Sequence, residues 1–172
     1  SALAGDQLRA LNIKNTDDLL KAFSNLSVKP GGASNTGFSI RGVGTDNFHV
    51  TAQQAVGQYM DEVTLVSPFV SSFGLFDLER VEVLRGPQNT LFGRNTTGGA
   101  VSMISRKPEV GGEVEGYVGT RFGNENRFDY EGAVNVPLGE TAAARVAFQS
   151  RNRGGIYNNL VDGDTIGNEE RH

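Results

Sequence analysis

Apolar and polar residues change rhythm three times along the chain, and each rhythm predicts a different kind of element. Near the start the spacing is helical. Asp6 is placed to cap "QLRAL", and in "NTDDLLKAFSNL" Thr16 serves as a cap, Asp17 and Asp18 fall in the first turn, and Leu19, Leu20 and Phe23 share one face. Pro30-Gly31-Gly32 closes this helical region. From Phe38 onward short apolar runs alternate with glycine turns: "FSIRG", "VGQYM", "VTLVS", "RVEVLRG" and "GAVSMIS". Asp61-Glu62 is expected to turn a hairpin between the second and third of these. Lys107-Pro108 ends the block, so residues 1–108 predict an α+β domain, a small mixed sheet of four strands with two short helices.

The third rhythm is strict alternation over segments of about ten residues. In "EVEGYVGTRF", Val114, Gly116, Val118, Thr120 and Phe122 share one face, and Glu113, Glu115, Tyr117 and Arg121 share the other. "RFDYEGAVNV" sets Phe128, Tyr130, Val134 and Val136 against Arg127, Asp129, Glu131 and Asn135, and "ARVAFQSR" sets Ala144, Val146 and Phe148 against Arg145, Gln149 and Arg151. Turns fall at 123–126 and 137–141. Two architectures write this pattern: a soluble meander wetted on its polar face, and an outer-membrane barrel with its apolar face to lipid. Alternation alone leaves both open. A barrel needs at least eight strands, so in that case the chain is a fragment whose open edges pair with further strands or self-associate with another copy.

Composition removes more functions than it suggests. Hydrophobic residues make up 37%, there are 23 glycines and no tryptophan, which favours a turn-rich β or α+β chain over a helical bundle. No apolar run reaches membrane-helix length, and no signal-peptide pattern opens the chain. The absence of cysteine suits either a reducing compartment or a disulfide-free envelope protein. Residues 1–108 carry a net charge of +1 and residues 109–172 one of −5, with no basic stripe, so nucleic acid is not an expected partner. His49 and His172 stand far apart without cysteine support, which predicts no metal site. "GPQNTLFG" and "GRNTTGGA" match neither phosphate-binding glycine pattern and read as tight turns; there is also no nucleophile elbow. Neither an enzyme nor a bound cofactor is expected.

Set in order, "FSIRGVG", "VGQYMDEVTL", "LFDLERVEVLRGPQNTLFGRNTTGGAVSMISRKP" and "FGNENRFDYEGAVNVPL" resemble the plug domain and first barrel strands of TonB-dependent outer-membrane receptors, over nearly the whole chain. The resemblance implies a plug at 1–108, and at 109–172 the first three strands of a truncated outer-membrane β-barrel with the start of a long loop. It implies a location in the cell outer membrane and active transport of a scarce nutrient such as a ferric siderophore. TonB is the implied energy-coupling partner, through an N-terminal box that precedes the plug and is not present in this chain. Arg41 and Arg85 match the two plug arginines that the family pairs with barrel glutamates; their glycine neighbours are expected to let the backbones come close. Outward loops near Asn35 and Thr36, near Asp46, Asn47 and His49, and near Phe69 and Phe73 are the expected nutrient contacts. The usual Asp-Gly of the family's hairpin is Asp61-Glu62 here, which predicts an opened turn or one of another type. Two rivals remain at this stage: a soluble β-rich glycan-binding module, and a receptor acting mainly in transmembrane signalling.

Overall fold

The structure is a computed structural model and describes residues 1–30, 36–45, 54–65, 75–88, 92–93, 96–124, 126–154, 157–158, 165–166 and 169–171. The chain divides into two compact units, Ser1–Arg106 and Lys107–His172.

In the first unit, β1 (Ala2–Ala4), β5 (Val56–Met60), β6 (Val63–Thr64), β7 (Leu78–Arg85) and β8 (Gly99–Ser105) form a sheet in the order β1-β7-β8-β5-β6. Its pairs are antiparallel except β5 with β8, which run parallel and make the sheet mixed. A second, antiparallel sheet joins β2 (Leu26–Pro30), β3 (Thr36–Ile40) and β4 (Val43–Gly44). The expected mixed sheet with short helices is present, but it has five strands, and "FSIRG" belongs to the separate three-stranded sheet. One hydrophobic cluster takes side chains from both sheets and both helices, including Leu8, Leu19, Phe38, Val81 and Val101. Phe38 and Val81 are buried because alternate residues of each strand point to the same side. Burial of a side chain as large as Phe38 contributes about 2 to 3 kcal/mol.

Both helices are shorter than their sequence signals, and their caps move. α1 (Gly5–Ala10) takes Ala4 as its N-cap residue, and Gln7 Oε1 accepts from the Ala4 N–H at 3.0 Å. Asp6 lies inside the first turn and pairs with Arg9, so it does not cap. Thr16 is likewise no α-helical cap: Thr16–Asp18 form a 3-10 turn, and Thr16 is buried. Asp18 precedes α2 (Leu19–Ala22), while its carboxylate accepts from the backbone N–H groups of Lys14 and Asn15 at 3.1 and 3.2 Å. That bond secures the preceding loop instead of lengthening the helix, which stops after one turn so that β2 can begin.

The Asp61-Glu62 hairpin closes tightly, where an opened turn or one of another type was expected. Met60 pairs with Val63, and both central residues have positive φ, 47° and 70°, the signature of a type I′ turn built without glycine. The strain is offset by bonds that only an acidic or amide residue can make: Asp61 Oδ1 accepts from Ser105 N–H at 2.8 Å and Oδ2 from Ser105 Oγ at 2.6 Å. Asp61→Ala is expected to lower stability by about 1 to 2 kcal/mol in urea unfolding followed by circular dichroism, with Asp61→Asn recovering much of the loss. Equal midpoints for Asp61→Ala and the parent would show that the Ser105 bonds contribute nothing.

In the second unit β9 (Glu115–Gly123), β10 (Arg127–Pro137) and β11 (Ala143–Arg153) form a continuous antiparallel meander. β14 (Glu169–Arg171) pairs with the far end of β11, and β12 (Tyr157–Asn158) pairs with β13 (Thr165–Ile166), so the region expected as the start of a long loop contains further pairing. The faces follow the sequence alternation, but their exposures are inverted relative to a soluble sheet. Val118 is 77% exposed and Phe122 76%, while Asp129 and Arg151 are 6% and 7% exposed. Asn135 is also buried; its side chain donates to the Glu109 carbonyl and accepts from the Glu109 N–H, each at 3.0 Å. On the uncovered apolar side, Phe122, Phe128, Tyr130 and Phe148 form a chain of ring contacts with centroids 5.1 to 6.3 Å apart.

Candidate functional site

Arg41 and Arg85 each stand at a strand end just before a glycine, Arg41 in the turn after β3 and Arg85 as the last residue of β7. Arg41 and Gly42 are the central residues of the β3–β4 hairpin, with Ile40 paired to Val43 and φ values of 53° and 81°. This is again a type I′ turn, with an arginine where asparagine or glycine would sit at lower cost. The Arg41 N–H donates to the Asn25 carbonyl at 3.1 Å, while its exposed guanidinium makes no side-chain hydrogen bond among the described residues. Arg85 is the last residue of β7, exposed, with Nη2 donating to Ser1 Oγ at 3.0 Å. Gly86 follows with φ 82°.

Within this chain the flanking glycines answer to backbone conformation. A side chain on Gly42 or Gly86 would meet nothing within 4 Å, so among the described residues neither is there for close approach. Their positive φ is what requires glycine. The crowding lies elsewhere, at Gly98 and Gly99. A Cβ on Gly99 would stand 2.3 Å from the Leu84 carbonyl oxygen and 2.8 Å from Ile40 Cδ1; one on Gly98 would stand 3.0 Å from the Val43 carbonyl oxygen. Leu84 precedes Arg85, while Ile40 and Val43 flank the Arg41-Gly42 turn. Both arginine turns therefore lean on one diglycine step. The sequence pattern places Gly98 in a tight turn and Gly99 at the head of "GAVSMIS", and neither placement reveals these contacts.

Tyr59 is a second participant that sequence reasoning missed. Its hydroxyl donates to the Phe92 carbonyl at 2.6 Å, and the two rings lie 4.7 Å apart, fastening the segment between β7 and β8 to β5. Thr96 of that segment is fully buried and donates to the Gly93 carbonyl at 2.9 Å. The clue was Gly57, a glycine inside a strand, whose Cβ would meet Thr96 Cγ2 and Tyr59 Cε2, each at 2.7 Å. Burial raises the Tyr59 pKa above its ordinary value, with a smaller opposing effect from the Thr64 hydroxyl. Below about pH 10 the folded and unfolded tyrosine are both protonated; above it the unfolded form ionises first, so stability falls as pH rises toward the folded value. Tyr59→Phe is expected to cost about 1 to 2 kcal/mol at neutral pH and to flatten that alkaline loss, measured as urea midpoints across pH. A parallel alkaline slope in Tyr59→Phe would assign the loss to other groups.

Asn35, Asp46, Asn47, His49, Phe69 and Phe73, the expected nutrient contacts, lie outside the described residues. Among the described residues no cluster of histidine, aspartate and glutamate is arranged to hold a metal ion, and no helix is long and apolar enough to cross a membrane.

A family model described as TonB-dependent Receptor Plug Domain matches residues 1–100. The chain is 31% identical over 134 residues to the pesticin receptor of Yersinia pestis, covering 76% of this chain and 17% of the relative. It is 40% identical over 76 residues to the ferrioxamine B receptor of Salmonella typhimurium, covering 43% and 10% respectively. Among solved structures, the ferric yersiniabactin uptake receptor of Yersinia pestis matches with a TM-score of 0.84 and 22% identity, over 98% of this chain and 26% of that one, a likeness of fold. The chain thus spans about a sixth of the length of the pesticin receptor. The family match and the mixed plug sheet, followed by antiparallel strands with an exposed apolar face, agree: the chain belongs to the TonB-dependent receptor plug-domain family, whose members are outer-membrane receptors and not enzymes.

Proposed function

We propose that the chain supplies the plug, residues 1–108, and the opening strands of the barrel, residues 109–172, of an active transporter that brings a scarce nutrient across the outer membrane, a ferric siderophore being the leading candidate. Relatives named as a ferrioxamine B receptor and as a ferrichrome outer membrane transporter and phage receptor support the choice of substrate class. The observation that carries the barrel assignment is the inverted sheet, with Val118 and Phe122 uncovered while Asp129 and Arg151 are buried. A water-wetted glycan-binding module requires the opposite exposures.

In this function the plug closes the barrel at rest, and TonB acts on it from the periplasm. Arg41 and Arg85 are latch residues that meet barrel carboxylates beyond residue 172. A guanidinium fork held against a carboxylate fixes position as well as charge, which suits a plug that must seat in one orientation. The αL conformation of Arg41 supports this role, since a turn selected for stability alone would carry asparagine or glycine. Nutrient contacts are proposed on the segments containing Asn35, Asp46, Asn47, His49, Phe69 and Phe73.

Expression of the full-length protein in a Gram-negative host lacking its own siderophore receptors tests the function. Growth under iron limitation should be restored by at least one ferric siderophore, and only when the host has TonB. Recovery of the protein in the soluble periplasmic fraction, without siderophore-dependent growth, would overturn the proposal.

A further inference from the structure

We infer that Gly98-Gly99 is a positioning pair, the joint that sets the spacing between the Arg41 and Arg85 turns; the assignment rests on the latch proposed above. The diglycine step is tied to four neighbours through its own backbone. The Gly98 N–H donates to the Ala55 carbonyl at 2.9 Å, and the Gly98 carbonyl accepts from the Gly86 N–H at 3.2 Å. Gly99 pairs with Arg85 across the antiparallel ladder and with Val56 across the parallel one. The entry to β5 and the exit from β7 are therefore fixed to the same two residues.

The remaining contacts bring in the other arginine. Val43, immediately after the Arg41-Gly42 turn, places its carbonyl oxygen and Cγ1 at 3.0 and 3.1 Å from where a Gly98 Cβ would stand. Ile40, immediately before that turn, reaches the Gly99 position with Cδ1. Two of these neighbours are backbone carbonyls, of Leu84 and Val43, which cannot swing aside as a side chain end can. A methyl group at either glycine must displace the strand end or the hairpin that bears an arginine. Gly99 adds a φ of 141°, which L side chains rarely adopt.

Two guanidiniums that meet fixed carboxylates need a fixed separation, and the close approach that two missing side chains allow at Gly98 and Gly99 helps to set it. The joint also makes the two latch residues interdependent, because a displacement at Gly99 reaches Arg85 through Leu84 and the Arg41 hairpin through Ile40.

The test uses the full-length protein in a cysteine-free background, with Arg41→Cys and Arg85→Cys carrying spin labels. Gly99→Ala should lengthen or broaden the distance distribution between the labels by about 1 Å or more, the retreat the Leu84 carbonyl needs to reach ordinary contact. Gly98→Ala asks its neighbours to give only a few tenths of an ångström and keeps the measurement open if Gly99→Ala fails to fold; it should broaden the same distribution. Parent distributions in every glycine variant that folds would overturn the joint. Plug retention is measured separately, as release by denaturant, in proteins that keep both arginines. There Gly99→Ala or Gly98→Ala should loosen the plug in parallel with the change in distance. If Arg41→Ala and Arg85→Ala leave retention unchanged, the arginines hold no latch whatever the distances show. If they loosen the plug while the glycine variants change neither distance nor retention, the latch stands and the joint does not.

Discussion

Replacing Arg41 or Arg85 by alanine in the full-length receptor is expected to weaken the hold on the plug by about 3 to 5 kcal/mol, because a desolvated barrel carboxylate is left without its partner. The barrel should still assemble, since its strand ladder closes without the plug. In residues 1–172 alone the same substitutions should be nearly silent, because both guanidiniums are exposed there. Arg41→Gly sharpens the contrast into opposite signs. In the chain alone it relieves an arginine held at φ 53° and should raise stability by up to about 1 kcal/mol, while in the full-length receptor it removes the latch. Denaturant midpoints of the two proteins decide the matter. A large, equal loss in both would mean that the arginines serve the internal fold of the plug.

The second large effect is expected at Val118, in the middle of β9 and 77% exposed. Val118→Arg on a water-facing sheet would be close to neutral or mildly favourable for solubility. On a lipid-facing sheet near the bilayer midplane it costs about 2 to 4 kcal/mol. Folding of the full-length protein into lipid vesicles, monitored by the heat-modifiable gel shift of folded barrels, should show the loss, and Val118→Leu should not. Unimpaired folding of Val118→Arg into vesicles would remove β9 from the lipid-facing wall.

Local pattern carried the reading of the chain as far as individual strands and no further. The alternation of Phe128, Tyr130 and Val134 against Asp129, Glu131 and Asn135 gave both faces of β10, since a strand's period of two is visible in any window. Which face is covered could not be read from the alternation, because a soluble sheet and a barrel wall share it. The parallel pairing of Val56–Met60 with Gly99–Ser105, with β7 between them in the chain, leaves no local trace either. Leu26–Pro30 was hidden as a strand by the helical signal just before it and by Pro30, which sits at its end.

At the candidate site the legible part was the two arginines, through their place beside Gly42 and Gly86. A sequence does not distinguish a glycine required by φ from one required by contact, and within this chain Gly42 and Gly86 are of the first kind. Gly98 and Gly99 belong to the second kind, and their partners Leu84, Ile40 and Val43 come from segments 15 to 59 residues away in the chain. The tight Asp61-Glu62 turn escaped for a related reason, as its compensation comes from Ser105 on another strand.

Strand order has a kinetic consequence. The meander β9–β10–β11 joins neighbours in sequence, so its pairing closes short loops and is fast. The five-stranded sheet closes last where Ala2–Ala4 meets Arg80–Glu82, across nearly eighty residues, and its parallel pair spans more than forty. Contacts so distant are slow to form, because the entropy of loop closure is lost before the contacts repay it. A refolding chain therefore presents an organised ribbon with bare Val118, Phe122 and Phe148 before its other unit has consolidated. In water that ordering favours ribbon-to-ribbon association over completion of the plug, and refolding yield should fall with protein concentration unless detergent or lipid is already present to cover the ribbon.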